Sequence, residues 1–415
     1  MIFRFFDSFF LLFLLFFIRF VASLYFILHQ LSNVNGVLLF LVWLSASLQA
    51  FTGTYGINYG RLADNIPSPD EVVTLLRAAK IRNVRIYDAD HSVLKAFSGT
   101  GLEIVIGVTN GQLQDMSSNA DHALNWVKDN VQAFLPETRI RGIAIGNEVL
   151  GGSNTALYGV LLDAAKNIYN ATKKLHIDKL IQITTSNSYA VFQDSYPPSS
   201  CKFNVNFIQY IKPLLEFFQQ IGSPFCLNAY PSLTYMGNPK DIDINYALFQ
   251  PNKGIDDPKF KLHYDNLLDA QIDAAYAALE DAGFHKMEII ITETGWASAG
   301  DQNETGANVT NARTYNYNLR KRLAKKKGTP HRPKNVLKAY IFAIFNENSK
   351  DGPTSERNYG LFKADGSISY NIGFHGLNAG GSSHLSIKDI NTHGLSRSYT
   401  ITLILCLSAL ILMIF

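Results

Sequence analysis

Cysteine is scarce in this chain, which has only three among its 415 residues. One of them, Cys406, lies in an apolar segment at the C-terminus, so only Cys201 and Cys226 belong to the body of the chain. In a secreted protein these two could form a disulfide, but a pair of buried free thiols is equally compatible with the sequence. No CxxC pair or cysteine–histidine spacing indicates a metal site, and we expect neither a metal nor a cofactor.

A large excess of charge of either sign is also missing. The chain carries 37 Lys and Arg against 34 Asp and Glu, which gives a formal net charge of +3. That charge is too small, and too evenly spread along the chain, to indicate nucleic acid as a partner. We therefore expect a protein that does not bind nucleic acid, and we expect a monomer.

No internal linker divides the chain, because its Pro-, Gly- and Ser-rich stretches are short. Apolar segments predict eight strands, at 54–60, 83–90, 103–110, 141–149, 180–188, 225–233, 288–296 and 336–348. Amphipathic segments predict helices between them, at 69–80, 156–175, 206–222, 264–283 and 311–328. The third of these helices contains Pro213, so we expect it to be kinked or to begin there.

The alternation of strand and helix favours an α/β fold of the (β/α)8 type, the TIM barrel. A doubly wound dinucleotide-binding sheet would need a glycine-rich phosphate turn after the first strand, and this chain has none there. We assign residues 51–375 to one (β/α)8 barrel, expected to be the catalytic domain, because a segment of this length is ordinary for a single α/β barrel.

Long apolar runs are confined to the two ends of the chain. The run at 37–48 has the length of a secretory signal core and leads into small residues, so we expect residues 1–50 to be a signal sequence cleaved near Ala50 or Ser47. An additional run begins at residue 9 and makes this segment unusually long. It is also compatible with an uncleaved signal anchor, or with an upstream segment wrongly joined to the protein.

The C-terminal end has the pattern of a lipid-attachment signal. Its last 17 residues, 399–415, are apolar and follow a polar stretch rich in small residues. This order is typical of glycosylphosphatidylinositol (GPI) attachment. We expect 376–415 to be spacer and signal, with attachment between Ala379 and Ser386, which would place the protein at the outer plasma membrane or cell wall. A transmembrane helix is the alternative, although 17 residues are few for a span.

Three N-glycosylation sequons fit a secreted protein. They begin at Asn170, Asn303 and Asn308. Each is a weak signal by itself, because the three-residue pattern occurs often by chance.

Two of the predicted strands end in a glutamate. The segment 287–297, MEIIITETGWA, contains Glu293, and the segment 139–149, RIRGIAIGNEV, contains Glu148. Because the C-terminal strand ends of a barrel meet at one mouth, these glutamates of the seventh and fourth strands should share it. Glycoside hydrolysis needs such a pair, one acid to protonate the leaving oxygen and one carboxylate to attack the anomeric carbon.

Six motifs follow one another along the chain: GTYGINYG (53–60), VRIYDAD (84–90), IAIGNEV (143–149), NAYPS (228–232), ITETGWAS (291–298) and FNENSKDGPTSERNYGLF (345–362). Together they resemble the plant endo-β-1,3-glucanases, glycoside hydrolase family 17. The resemblance covers nearly all of 53–375. It implies a (β/α)8 barrel that cuts internal bonds of β-1,3-glucan, of the callose or laminarin type, with retention of configuration. Glu148 would be the acid/base and Glu293 the nucleophile, with carboxyl groups about 5–5.5 Å apart.

The same resemblance implies a set of substrate-binding side chains. Asn147 would donate a hydrogen bond to the sugar 2-hydroxyl, although a strand-end cap is an alternative role for it. Aromatic rings near strand ends offer flat faces for glucose units. The complete expected set is Tyr87, Asn147, Tyr230, Trp296, Glu347, Lys350 and Glu356.

The chain departs from the family pattern at Ala297, where proline is usual; proline there would stiffen the loop but carries no chemistry. We find no Cys-rich carbohydrate-binding module, so the barrel is expected to bind substrate by itself. Two other functions stay open at this point. A β-1,3-glucan transglycosylase would use the same carboxylates, and a non-hydrolytic glucan-binding wall protein would not need them.

Overall fold

The computed structural model describes residues 53–363 and 366–373. The predicted signal sequence and the predicted spacer and lipid-attachment segment lie outside the described residues, so both stay predictions. Among the residues described, no helix combines the length and the apolar character needed to cross a membrane.

Parallel strands build the centre of the molecule. In chain order the strands are β1 (Tyr55–Asn58), β2 (Asn83–Arg85), β3 (Glu103–Val108), β4 (Arg139–Asn147), β5 (Gln182–Asn187), β6 (Phe192–Gln193), β7 (Lys202–Phe203), β8 (Phe225–Asn228), β9 (Ile255–Asp257), β10 (Leu262–Tyr264), β11 (Ile289–Thr294) and β12 (Ala339–Ile341). Eight of them close into a barrel in the order β1–β2–β3–β4–β5–β8–β11–β12. The remaining four form two short antiparallel hairpins, β6–β7 and β9–β10. The predicted (β/α)8 barrel is confirmed.

Helices surround the barrel. They are α1 (Pro69–Ala78), α2 (His91–Ala96), α3 (Leu113–Ser118), α4 (Ala120–Asn130), α5 (Leu161–Lys174), α6 (Ile208–Ile221), α7 (Pro231–Gly237), α8 (Ile244–Ala247), α9 (Leu267–Asp281) and α10 (Val309–Ala324). All five predicted helices are present, and the sequence missed the other five, α2, α3, α4, α7 and α8. Helix α6 begins at Ile208 and contains Pro213, so it does not begin at the proline; the alternative expectation, a kink at Pro213, stays a prediction.

The last barrel strand is shorter than predicted. The sequence indicated a strand over 336–348, but β12 ends at Ile341. Beyond it the backbone of Ala343 bonds to Tyr359 and that of Ile344 bonds to Asn58, so the chain leaves the regular ladder. Several residues of the segment 342–362 line the cavity at the C-terminal ends of the barrel strands.

Buried side chains, most of them apolar, pack between the barrel strands. One buried cluster takes a single residue from each of five barrel strands: Val105, Ala144, Cys226, Ile290 and Tyr340. The barrel is therefore a packed core and not a pore, as is usual for this fold. This packing supports the charged groups that lie at the C-terminal ends of the strands.

Both cysteines of the barrel are free and buried. Of the two alternatives left by the sequence, the structure has the free thiols. Burial raises the pKa of Cys201 to about 12 and that of Cys226 to about 12. Because the thiolate is the reactive form, these thiols are unreactive as nucleophiles near neutral pH.

Candidate active site

A cavity of about 860 Å³ opens at the C-terminal ends of the barrel strands. Both candidate catalytic glutamates line it. Glu293 lies in β11, and Glu148 directly follows β4. Strands β5 and β8 lie between β4 and β11 in the barrel, so the two carboxylates enter the cavity from separate strands.

The Glu293 carboxylate is held by three donors. Its Oε1 accepts hydrogen bonds from Arg85 Nη1 at 2.8 Å and from the Tyr87 hydroxyl at 2.9 Å. Its Oε2 accepts one from the Tyr230 hydroxyl at 2.9 Å. The residue is only 6% exposed, so these contacts replace water in compensating the charge. They also fix the orientation of both carboxylate oxygens.

The two tyrosines remain donors over the whole physiological pH range. Burial, together with the negative charge of Glu293, raises the pKa of both Tyr87 and Tyr230 well above the usual value. A hydroxyl that stays protonated always has a hydrogen to give to Glu293. The predicted sugar platforms therefore also have a polar role that the sequence did not indicate.

Arg85 connects the parts of the site. It is the last residue of β2, it is 1% exposed, and besides Glu293 it reaches three other side chains. Its guanidinium donates to Asn58 Oδ1 at 3.2 Å, Asn147 Oδ1 at 2.8 Å and Ser186 Oγ at 3.1 Å. Sequence reasoning missed this residue. An arginine among the apolar residues of a buried strand was the available signal, because a buried charge needs a partner.

The backbone at Glu148 is strained. Its φ of +50° lies in the left-handed region, which a residue with a Cβ rarely adopts. The preceding Asn147 is held by Asn110, whose side chain accepts from the Asn147 amide at 2.8 Å and donates to its carbonyl at 2.9 Å. Strain of this kind persists where the surroundings determine the conformation, and such places are often functional.

The environment of Glu148 favours its protonated form. Burial, and then the nearby charge of Glu293, raise the pKa of Glu148 above the usual value. Asn228 opposes this shift, since its Nδ2 donates to Glu148 Oε1 at 2.9 Å. A carboxylic acid with a raised pKa can donate a proton at neutral or mildly acidic pH. This is the property needed by a general acid.

A second group of charges comes from the segment after β12, the barrel strand next to β11. Glu347 is 4% exposed, burial raises its pKa, and its Oε1 accepts from the Leu62 amide at 2.9 Å. A Cβ at Gly60 would lie 2.4 Å from the Glu347 carboxylate, so only glycine permits this approach. Lys350 and Glu356 form an ion pair at 2.7 Å. All three predicted charges line the cavity.

Trp296 does not line the cavity, which corrects the expectation of a sugar platform there. It is 1% exposed, and its indole nitrogen donates to the Gly306 carbonyl at 2.8 Å. Its ring contacts those of Tyr235 and Tyr315, on α7 and α10. At the preceding Gly295 a Cβ would come within 2.3 Å of the Phe342 carbonyl oxygen, so glycine is needed there. The other six predicted binding residues line the cavity.

The position of Trp296 predicts an effect on stability. Trp296→Ala should lower the free energy of unfolding by about 3–5 kcal/mol, because it removes a large buried ring. Urea unfolding measures the change, and activity per folded molecule should stay close to that of the parent. Tyr230→Ala is the matched control, since it removes a ring that lines the cavity. A Trp296 variant with unchanged stability and reduced activity would contradict this assignment.

The three sequon asparagines are exposed. Asn170 lies in α5, and Asn308 caps α10 by accepting from the Asn311 amide at 2.9 Å. Exposure is compatible with glycosylation, which stays a prediction for Asn170, Asn303 and Asn308.

Comparison with known proteins identifies a family over most of the chain. The model for glycosyl hydrolases family 17 matches residues 55–374. Glucan endo-1,3-beta-glucosidase 14 of Arabidopsis thaliana is 45% identical over 348 residues, which are 84% of this chain and 88% of that protein. Glucan endo-1,3-beta-glucosidase 11 of the same plant is 46% identical over 340 residues, 81% of this chain and 80% of that one.

Solved structures agree with the family match. A beta-1,3-glucanase and allergen of Cryptomeria japonica pollen superposes with a TM-score of 0.74 at 38% identity, over 77% of this chain and 99% of that chain. One of two plant beta-glucan endohydrolases with distinct substrate specificities gives a TM-score of 0.71 at 34% identity, over 77% of this chain and all of the other.

Proposed function

This chain belongs to glycosyl hydrolases family 17 and is a glycoside hydrolase; from that premise we propose that it hydrolyses internal β-1,3-glucosidic bonds of β-1,3-glucan with retention of configuration. The observation that carries the proposal is the pair of cavity-lining glutamates in different environments. Glu293 has an arginine and two hydroxyl donors, while Glu148 has a raised pKa. The names of the similar Arabidopsis proteins support the substrate.

In the first step Glu293 attacks the anomeric carbon, and the bond from that carbon to the glycosidic oxygen breaks. Glu148 gives its proton to the departing oxygen, so the leaving chain departs as a neutral alcohol. Glycosylation removes the charge of Glu293, which was one cause of the raised pKa of Glu148. Glu148 is then able to act as a base.

In the second step Glu148 takes a proton from water, and the water oxygen attacks the anomeric carbon. The bond to Glu293 breaks and the carboxylate is restored. Two inversions at one carbon give net retention. For this mechanism we expect the two carboxyl groups to lie about 5–5.5 Å apart.

Asn147 is suited to hold the sugar 2-hydroxyl. Its Oδ1 accepts from Arg85 Nη2 at 2.8 Å, which orients the amide so that its nitrogen is the group left to donate. A hydrogen bond to the 2-hydroxyl strengthens as the oxocarbenium-like transition state develops. The side chains of Glu347, Lys350 and Glu356 also line the cavity and are available for further contacts to sugar hydroxyls.

Digestion of laminarin tests the proposal. Hydrolysis predicts a steady release of new reducing ends and products of intermediate length from internal cuts. A transglycosylase would redistribute chain length without raising the number of reducing ends, and a non-hydrolytic binding protein would do neither. Either of those outcomes would overturn the proposed hydrolysis.

The hydrogen bond from Asn228 to Glu148 predicts a change in the pH profile. This bond stabilises the ionised form of Glu148 and so lowers its pKa. In Asn228→Ala the pKa of Glu148 should rise, so the acid should stay protonated to higher pH. The alkaline limb of the pH profile of kcat/KM should therefore shift to higher pH. Asn187→Ala is the matched control, because that buried amide donates to the Cys226 carbonyl at 3.1 Å. A downward shift, or the same shift in the control, would contradict the assignment.

We also propose that the chain is held at the outer plasma membrane by a GPI anchor. The support is the sequence alone, namely the apolar segment 399–415 after small and polar residues. Phosphatidylinositol-specific phospholipase C should release active enzyme from membranes. Retention in the membrane, with peptides from 399–415 still detected, would instead indicate a transmembrane helix. A residual bound pool would indicate an uncleaved N-terminal anchor.

A further inference from the structure

Strand β11 contains an extra residue next to the proposed nucleophile. Its pairing with β8 joins Ile291 to Leu227 and Glu293 to Asn228, so Thr292 is the additional residue between two successive pairs. An extra residue of this kind forms a β-bulge, and bulges beside active sites redirect side chains. Thr292 is 1% exposed, so its side chain is directed into the protein and not to solvent.

The bulge allows two consecutive side chains to reach groups of the active site. In a regular strand, neighbouring side chains point to opposite faces of the sheet. Here the Thr292 hydroxyl donates to Asn228 Oδ1 at 2.7 Å, while the Glu293 carboxylate accepts from Arg85 and from two tyrosines. Asn228 and Glu293 both line the cavity, and Thr292 does not. The route from the Thr292 hydroxyl to the reacting groups therefore runs through Asn228.

The surroundings of Asn228 settle which way its amide faces. One end of the amide lies 2.9 Å from Glu148 Oε1 and 3.4 Å from Asn147 Oδ1. The Asn147 atom accepts a hydrogen bond from Arg85, which identifies it as an oxygen. An amide nitrogen can donate to both of these oxygens, whereas an amide oxygen would only face two other acceptors. The Asn228 nitrogen therefore faces Glu148, and its oxygen faces Thr292.

Thr292 supplies the donor that this orientation needs. The Asn228 side chain is buried, and a buried acceptor without a partner is costly. Among the residues that the structure describes, the Thr292 hydroxyl is the side-chain donor that reaches Asn228 Oδ1. The Thr292 carbonyl accepts in turn from Asn58 Nδ2 at 3.0 Å. Because Asn58 is the last residue of β1, a second barrel strand holds the donor in place.

This chain of hydrogen bonds ends on one oxygen of Glu148. Asn228 donates to Oε1, while Oε2 accepts no hydrogen bond from the part of the chain that the structure describes. In a protonated carboxyl group, the oxygen without the proton is the one that accepts from an amide N–H. The proton of Glu148 is therefore held on Oε2, the oxygen that remains available to a substrate in the cavity.

We propose that Thr292 is a positioning residue for the acid/base, because it fixes the Asn228 amide and so keeps the transferable proton of Glu148 on Oε2. In the first step the O–H bond at Oε2 breaks, and its electron pair stays on Glu148. The proton bonds to the glycosidic oxygen, which keeps the electron pair of its broken bond to the anomeric carbon. The inference rests on the proposed roles of Glu148 and Glu293, and it adds a residue that does not touch the substrate.

The dependence on the leaving group tests this role. Laminarin has an alcohol leaving group, which needs a proton, whereas the dinitrophenolate of 2,4-dinitrophenyl β-laminaribioside departs without one. In Thr292→Val a methyl group replaces the hydroxyl, and kcat/KM on laminarin should fall about tenfold, a part of the effect of a general acid. On the dinitrophenyl substrate kcat/KM should match the parent. Equal losses on both substrates would overturn the proposal, since they would indicate damage to Glu293 or to the fold.

The pH profile is a second measurement. Asn228 stabilises the ionised form of Glu148, and an amide that is no longer fixed does so less. In Thr292→Val the pKa of Glu148 should therefore rise, and the alkaline limb of kcat/KM on laminarin should shift to higher pH. The other titratable groups that face Glu148 stay unchanged: Glu293, Arg85, Lys350 and Tyr230. A profile that does not shift would contradict the proposal.

Two further variants show whether the hydroxyl is responsible. Thr292→Ser keeps the hydroxyl and should keep the parent pH profile and most of the activity on laminarin. Thr138→Val is the matched control, since Thr138 is fully buried and its hydroxyl donates to the Leu94 carbonyl at 2.7 Å, away from the cavity. It should lower the unfolding midpoint in urea without a shift in the pH profile. A serine variant as impaired as the valine variant, or a control with the same shift, would speak against the proposal.

A double-variant cycle shows whether Thr292 acts through Asn228. Once Asn228→Ala has removed the amide, Thr292→Val should cause no further change in kcat/KM on laminarin or in its pH profile. The two single changes should therefore be strongly non-additive. Additive losses would mean that Thr292 acts by another route, which would overturn the proposal.

A titration without substrate separates this inference from the proposed hydrolysis. Carbon NMR follows the side-chain carboxyl of Glu148, which is assigned by its loss in Glu148→Gln. The pKa of Glu148 should rise in Thr292→Val and stay at the parent value in Thr292→Ser. A parent that releases no reducing ends from laminarin would overturn the hydrolysis, and the titration would still decide whether Thr292 fixes the amide. An equal pKa in the parent and in Thr292→Val would overturn the positioning role even where laminarin is hydrolysed.

Discussion

Glu293→Ala should lower kcat on β-1,3-glucan by at least about 10⁴-fold, because removal of a group made essential by the mechanism costs most of the catalytic effect. The variant keeps the hydroxyls of Tyr87 and Tyr230 and the guanidinium of Arg85 around an empty space. Azide, a small anionic nucleophile, should enter that space and restore part of the turnover. Since azide takes the place of Glu293, the product should be an α-glycosyl azide.

The product configuration separates the roles of the two glutamates. In Glu148→Ala the covalent intermediate on Glu293 still forms, most readily from substrates with a good leaving group. Azide then attacks that intermediate in place of water and gives a β-glycosyl azide. An α-product from Glu148→Ala and a β-product from Glu293→Ala would mean that the two roles are reversed. Product analysis by proton NMR gives the answer directly.

Arg85→Met should damage both stability and catalysis. Methionine fills much of the arginine volume but leaves the buried Glu293 carboxylate without its cation, a change that typically costs about 3–5 kcal/mol. It also frees the side chains of Asn147 and Ser186, which Arg85 orients. We expect a lower unfolding midpoint in urea and, at temperatures where the variant is folded, a kcat reduced by about 10²-fold.

A second buried arginine provides the control. Arg141 pairs with Glu103 at 2.7 Å, and both side chains are mostly buried. This pair lies on β4 and β3, away from the cavity. Arg141→Met should therefore destabilise the barrel to a similar degree while leaving kcat of the folded fraction unchanged. If both variants lost kcat equally, the effect of Arg85 would be one of stability alone.

Local sequence patterns were sufficient to predict the barrel and to single out the two glutamates as candidates. Strand-like runs that end in Asn147-Glu148 and in Glu293 can be recognised within a few residues, because strand periodicity and strand ends are local properties. The barrel rule then places both ends at one mouth. The same local reasoning failed at Trp296, since its ring is buried against Tyr235 and Tyr315, which come from other elements of the fold.

The sequence by itself therefore determined the fold class and the family, and it singled out the two carboxylates that we propose as catalytic. Only the tertiary structure decided what surrounds each of them. Arg85 reaches Glu293 across 208 positions of the chain, and Asn228 reaches Glu148 across 80. Such partners are set by the closure of the barrel and by the register of its strands, and no spacing along the chain encodes them. The two glutamates differ in environment for this reason, and the division of roles that we propose for them rests on that difference.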